Sequence, residues 1–295
     1  MTEGAAPSLF CFGLGFSALA LARALKAEGW TVAGTCRTPE KQAALADEGI
    51  ETHPFDRDRP LAEPAAALCG VTHLLSSVPP DAAGDPVLDR HAADIAAIPG
   101  LRWAGYLSTT GVYGDRAGGW VDETADRNPS GERGRRRVAA EDGWLDLWRR
   151  HGVPVHLFRL AGIYGPGRSA LDTVRSGRAR RIVKPGQVFS RIHVDDIAAV
   201  LHASIARPDP GAAYNVCDDE AAPPQEVIAH ACALLGVAPP PEEAFDSAEG
   251  LSAMARSFYR DSKRVANDRI KRDLGVRLRW PTYREGLAGL LAEDI

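Results

Sequence analysis

Gly13, Gly15 and Ala18 stand at the spacing G-x-G-x-x-A directly after the apolar run Leu9-Phe10-Cys11-Phe12. That pattern suits a dinucleotide. Gly13 permits a tight turn, Gly15 lets the backbone approach a pyrophosphate, and Ala18 lets the following helix pack closely on the strand. The first N–H groups of that helix, at Phe16, Ser17 and Ala18, aim a positive dipole end at the phosphates. About 20 residues further on, an NAD enzyme usually carries an acid for the ribose 2′-OH. This chain instead reads Gly34-Thr35-Cys36-Arg37-Thr38. Arg37, helped by the Thr35 or Thr38 hydroxyl, can pair with a 2′-phosphate, so NADP is the expected cofactor, with NAD possible. The alternative is that Arg37 is a solvated loop charge. Asp56 either accepts a hydrogen bond from adenine or holds a turn.

A second concentration of chemistry runs from Arg168 to Arg191, where Arg175, Arg178, Arg180, Arg181 and Lys184 are opposed only by Asp172. On an acidic chain this local excess predicts an anionic small-molecule ligand, or else a solvated face. Phe189 alone does not supply the interleaved aromatics of a nucleic-acid surface, so no nucleic acid is expected. His193-x-Asp195-Asp196 lacks a fourth ligand, and no metal is expected; Asp195 reads as the cap of a helix over Ile197 to Ala206.

These residues need elements to position them. The chain alternates strands and helices: a strand at Leu9–Phe12, a helix at Phe16–Glu28, strands at Thr31–Cys36 and Ile50–Phe55, and a strand at Val71–Val78. A helix over Asp85–Ile98 returns to strands at Trp103–Ser108 and Val153–Leu160. Alternation of this kind builds a parallel, doubly wound α/β sheet, which binds ligands outside the carboxyl ends of its strands. Ser76, Ser77 and Val78 therefore face the cofactor. Further on, Ala213–Val216 reads as a strand, and Gln225–Leu235, Ser262–Leu274 and Thr282–Ala292 read as helices. Met1 to Ser8 read as a disordered tip.

With 295 residues, 45% of them hydrophobic, the chain suffices for one large α/β domain and a smaller lobe. A net charge of −4 gives no argument for nucleic acid or membrane. The five cysteines are widely spaced without C-x-x-C, which suits buried thiols in a reducing cytoplasm. A signal peptide is not expected, because no Lys or Arg precedes Arg23 and Glu3 lies in the leading segment.

Three later motifs carry a resemblance. Ser108-Thr109-Thr110-Gly111-Val112-Tyr113-Gly114, then Arg159 to Gly167, then Arg191-Ile192-His193-Val194-Asp195-Asp196 follow the glycine turn in order. Together they resemble the extended short-chain dehydrogenase/reductase family, which includes NAD-dependent epimerases and dehydratases. The resemblance implies a Rossmann-type, NADP-binding domain over residues 1–162 with a return segment near 191–218, and a mostly helical substrate lobe over residues 163–295. It also implies that Thr109 polarises the reacting oxygen, and that a homodimer forms through two helices of the first domain.

The family's Tyr-x-x-x-Lys pair is replaced. Counting back from Glu141 puts Arg137 at the lysine position and Arg133 at the tyrosine position. A guanidinium stays charged and cannot shuttle a proton. Arg137 could hold the nicotinamide ribose and Arg133 a substrate anion. A proton shuttle would then come from Tyr113 or, second, Tyr164, while Asp122-Glu123 serves as a base or organises its loop. Tyr164, Arg168 and Arg191 are the remaining candidate substrate contacts. The sequence thus points to an NADP-dependent oxidoreductase or epimerase/dehydratase-like enzyme acting on an anionic, nucleotide-linked or carboxylated molecule. The rival expectation is a catalytically silent NADP-binding sensor.

Overall fold

The computed structural model describes residues 6–293, and within it the chain runs β1 (Ser8–Phe12), α1 (Phe16–Ala27), β2 (Thr31–Cys36), α2 (Pro39–Asp47), β3 (Glu51–Pro54), α3 (Pro64–Ala67), β4 (His73–Ser76), α4 (Pro86–Ala96) and β5 (Trp103–Thr109). There follow β6 (Trp120–Val121), α5 (Glu132–His151), β7 (Val155–Leu160), β8 (Gly162–Tyr164), α6 (Ala170–Arg175), β9 (Arg181–Val183), β10 (Arg191–His193) and α7 (Val194–Ala206). The last elements are β11 (Ala213–Val216), α8 (Pro224–Leu234), β12 (Glu242–Ala244), α9 (Ala253–Phe258), β13 (Arg264–Val265), α10 (Asp268–Arg272) and α11 (Tyr283–Glu293).

Seven strands make one sheet in the order β3-β2-β1-β4-β5-β7-β11. The pairs from β3 to β5 are parallel, with Phe10 opposite Ala33 on one side and Leu74 on the other. Parallel strands covered on both faces should be continuously apolar, and β1, β4 and β7 are buried throughout or nearly so. Helix starts follow the local chemistry. Thr38 caps α2 by accepting from Lys41 N at 3.4 Å, with Pro39 at its first position. Asp85 caps α4 through Val87 N and Leu88 N, and its other oxygen accepts from Trp144 Nε1 at 3.1 Å, tying α4 to α5. Phe10, Phe12, Leu74, Tyr106, Trp144 and Leu147 form the centre of the core.

The chain divides into two units. The first runs to Thr109 and takes in Arg135–Arg159 and Ala198–Tyr214; the second holds Thr110–Gly134, Leu160–Ile197 and everything from Asn215 on. The chain crosses between the units several times, once between Arg159 and Leu160, and the segment that carries the V-Y-G motif clusters with the second unit. In that unit β8 pairs with β10, β12 with β9 and β13 with β6, around a core of Tyr164, Leu171, Val227, Tyr283, Leu287 and Leu290.

Some sequence expectations need correction. The helix expected over Ser262–Leu274 is β13 followed by the short α10: Val265 pairs with Val121, and its N–H donates to the Ser190 hydroxyl, which takes the backbone out of the helix. Asp195 is not an N-cap, because α7 already begins at Val194. Its neighbour Asp196 instead accepts from Arg279 N and Trp280 N at 2.7 and 3.1 Å. Of the tip, Met1 to Ala5 lie outside the described residues, and Ser8 is already in β1. Four cysteines are buried and Cys69 is exposed; all are free thiols. Among the described residues no helix is long and apolar enough to cross a membrane.

Gly34, in the middle of β2, was not singled out by the sequence. A Cβ there would lie 2.5 Å from the Cys11 carbonyl oxygen and 3.0 Å from the Leu14 side chain. Gly34→Ala is therefore expected to cost about 1–3 kcal/mol, because backbone of β1 stands in the way. Urea unfolding measures it, and a loss within experimental error contradicts the packing argument.

Candidate functional site

The glycine turn is clamped from two strands. Gly13 has φ +81°, a left-handed conformation that costs little only for glycine. Its N–H donates to Thr35 Oγ1 at 2.8 Å, and its carbonyl accepts from the Ser77 hydroxyl. Leu14 N donates to Thr35 O at 2.9 Å and Ser77 N to Phe12 O at 2.9 Å, so β2 and β4 fix the turn together. A Cβ on Gly13 would meet Ser77 Oγ at 3.0 Å and Val78 Cγ2 at 3.1 Å. At Gly15, by contrast, the nearest atom is 3.7 Å away, which leaves room for a ligand. Helix α1 starts here with no side-chain cap and no acid in its first turn. Ser17 and Ala18 are buried against the sheet behind Phe16. Ser76 Oγ is buried with no partner among the described residues. These features fit a dinucleotide: a cradle that only glycine can line, an uncapped positive helix end, and a polar atom left for a ligand.

At the end of β2 the structure adds a residue that the sequence reading missed. Arg37 is exposed and makes no ion pair among the described residues, and its carbonyl accepts from Arg59 Nη2 at 2.9 Å. Asp56 is a turn residue. Its Oδ1 accepts from Asp58 N and Arg59 N at 3.0 and 2.9 Å, and its Oδ2 lies 3.2 Å from Arg59 Nη2. The carboxylate thus holds the Arg59 guanidinium against the Arg37 backbone. The proposed helper hydroxyls are occupied elsewhere: Thr35 is buried under the turn and Thr38 caps α2.

At the carboxyl end of β5, the Ser108 hydroxyl donates to Glu141 Oε1 at 2.6 Å, and Arg159 grips the same carboxylate with Nε at 3.1 Å and Nη2 at 2.9 Å. Glu141 is fully buried and Arg159 nearly so. The trio fixes the strand end that presents Thr109. One turn before Glu141, Arg137 Nη1 donates to Leu107 O at 2.6 Å and to Tyr106 Oη at 3.1 Å. Its positive charge is held against the strand end, not swung into solvent. Burial raises the Tyr106 phenol pKa despite this neighbour. Arg133 is an exposed residue of the second unit.

The structure does not leave Tyr113 available as a shuttle. It is fully buried, and its hydroxyl donates to Asn215 Oδ1 at 2.7 Å. Glu123 accepts from Asn215 N at 2.7 Å and Asp122 closes a turn on Thr124, so this pair organises its loop. Tyr164 is buried too, its hydroxyl 3.5 Å from Thr282 O, and burial raises its phenol far above the ordinary range. Lys263, which the sequence gave no role, donates to Gly114 O at 2.9 Å beside Asp261, and burial lowers its ammonium pKa.

Tyr164, Arg168 and Arg191 do come together. They line a cavity of about 570 Å³ in the second unit, joined by Arg178, Arg180 and Tyr283. Arg175, Arg181 and Lys184 do not line it. Among the described residues, no group of three or more His, Cys, Asp or Glu is placed to hold a metal ion.

Residues 88–217 match the model of the NAD dependent epimerase/dehydratase family. The chain is 29% identical to Protein YeeZ of Escherichia coli K12, over 91% of this chain and 94% of that protein. It is 53% identical to a functionally unknown conserved protein from Silicibacter pomeroyi, whose solved structure superposes with a TM-score of 0.89 over 98% of this chain and 99% of that one. UDP-glucuronic acid 4-epimerase from Bacillus cereus, solved with UDP-glucuronic acid and NAD, has a TM-score of 0.78 at 15% identity, covering 98% and 100% of the two chains. At that identity the likeness is one of fold.

Proposed function

We propose, from the premise that this chain belongs to the NAD-dependent epimerase/dehydratase family, that it is an NADP-preferring oxidoreductase or epimerase/dehydratase-like enzyme acting on an anionic small molecule in the cytoplasm. The observation that carries the reading is the clamped glycine turn followed by Arg37 and Arg59, where the Asp56 carboxylate is taken up by its own turn and by Arg59. Gly13, Gly15 and the first N–H groups of α1 would hold the diphosphate, and the two guanidinium groups the 2′-phosphate. The bound nicotinamide would supply hydride acceptance or donation. Thr109, at the strand end braced by the Glu141–Arg159 pair, would donate a hydrogen bond to the reacting oxygen of the substrate. Arg137 would keep a positive charge beside it.

A screen of phosphorylated and carboxylated small molecules, followed by nicotinamide absorbance, tests the reading. Turnover should appear with NADPH or NADP and fall about 100-fold in Thr109→Ala. No turnover with any compound contradicts an enzymatic role.

One observation favours the silent NADP-binding reading: both tyrosine candidates are buried and bonded within the protein. The double variant Arg133→Tyr with Arg137→Lys separates the two. For an active enzyme that uses its arginines, activity is expected to fall by about 10-fold or more. A gain of activity from nothing would support a silenced site.

A further inference from the structure

The cavity in the second unit is rich in donors and poor in acceptors. Arg191 Nη1 donates to Phe189 O and Ala222 O at 2.9 and 3.0 Å, yet among the described residues Arg191 has no ion pair. Its neighbour Asp218 is buried, with Oδ2 unpartnered, and burial pushes this carboxyl up to about 8. Burial makes it a weak counter-charge for the guanidinium, although Arg191 itself draws the shift back. A partly buried, unpaired cation is costly unless an anion joins it. The Tyr283 ring lies under the same guanidinium at 5.9 Å, and its buried hydroxyl has no partner among the described residues.

The remaining wall offers little to a sugar. Asp172 is the one carboxylate among the described lining residues, and its Oδ2 is taken in a capping box by Ser169 N and Oγ at 2.8 and 2.6 Å. The Thr173 hydroxyl donates to Ser169 O at 3.0 Å. Arg180 is held in a two-pronged pair by Glu243, which removes its charge from the cavity. The lining also includes Val227, Ile228, Leu287 and Pro224. Hydroxyl donors of a polyol would find few side-chain acceptors here, which is penalised, whereas an apolar ring would be welcomed.

We infer that this cavity takes an organic oxyanion, a phosphate or carboxylate, carried on an apolar or aromatic body and not on a polyhydroxylated sugar. The inference rests on the proposal that the enzyme's substrate is anionic, and it narrows the class of that substrate. Arg191 meets the oxyanion, the Tyr283 hydroxyl donates to it, and the aliphatic wall covers the body.

Calorimetric titration of the full chain, saturated with NADPH, with phenyl phosphate, benzoate, glucose 1-phosphate and inorganic phosphate tests this. Phenyl phosphate or benzoate should bind saturably and about tenfold more tightly than glucose 1-phosphate or inorganic phosphate, and the tighter of the two names the oxyanion. Arg191→Met should weaken that binding about tenfold or more. Tyr283→Phe should weaken it about fivefold without lowering the unfolding midpoint, because the lost hydroxyl has no partner among the described residues. Glucose 1-phosphate binding as tightly as the aromatic anions, or aromatic binding that ignores both variants, overturns the inference. So does the absence of binding by either aromatic anion when NADPH still binds, which leaves the proposed cofactor role standing. If the aromatic anions bind as expected and NADPH does not, the cofactor reading fails and the cavity assignment holds.

Discussion

Glu141→Ala is expected to cost about 3–5 kcal/mol of folding stability, because it strands the Arg159 guanidinium in the interior without its carboxylate. Both charges are almost wholly shielded from water, and the Arg159 grip on Glu141 is two-pronged, at 3.1 and 2.9 Å. The cost belongs to the uncompensated charge and not to the net worth of the pair. The double variant Glu141→Ala with Arg159→Met should therefore recover part of the loss, since it removes the stranded charge and leaves only the cost of the cavity. Urea midpoints of the two variants settle the matter. A single variant within about 1 kcal/mol of the parent would show that water reaches the pair. The same substitution deprives the Ser108 hydroxyl of its acceptor at 2.6 Å and loosens the strand end before Thr109.

The second large effect is on cofactor choice. Arg37→Ala is expected to weaken NADPH binding about 10- to 100-fold, the worth of one or two charge-assisted hydrogen bonds. NADH, which has no 2′-phosphate, should change by less than about threefold. Arg59→Ala should act in the same direction, because Asp56 holds Arg59 against the Arg37 carbonyl. Parallel titrations of each variant with both cofactors measure the effect. An equal loss for NADPH and NADH would mean that the arginines support the loop and do not read the phosphate.

The parts of this molecule that are written locally could be read from the sequence. The glycine turn, its flanking strand and helix, and the run Thr31–Cys36 depend on residues within a few positions of each other, and Thr31–Cys36 forms β2 with the expected bounds. Arg59 could not be found that way. It reaches Arg37 only because the Asp56 turn folds it back across 22 residues. The Glu141–Arg159 pair joins a helix to a strand, and nothing in either segment alone announces the other. Tyr113 shows the opposite failure. A tyrosine at a strand end looks available until Asn215, 102 residues away, takes its hydroxyl. The basic run from Arg168 to Arg191 predicted an anion, but only packing decides that Arg191 lines the cavity unpaired while Arg180 is bound to Glu243.

The most direct test of the cofactor assignment is calorimetric titration of the purified protein with NADPH and NADH in parallel. NADPH should bind at least about tenfold more tightly than NADH. Equal affinities would contradict the role given to Arg37 and Arg59, and binding of neither would contradict the dinucleotide site itself.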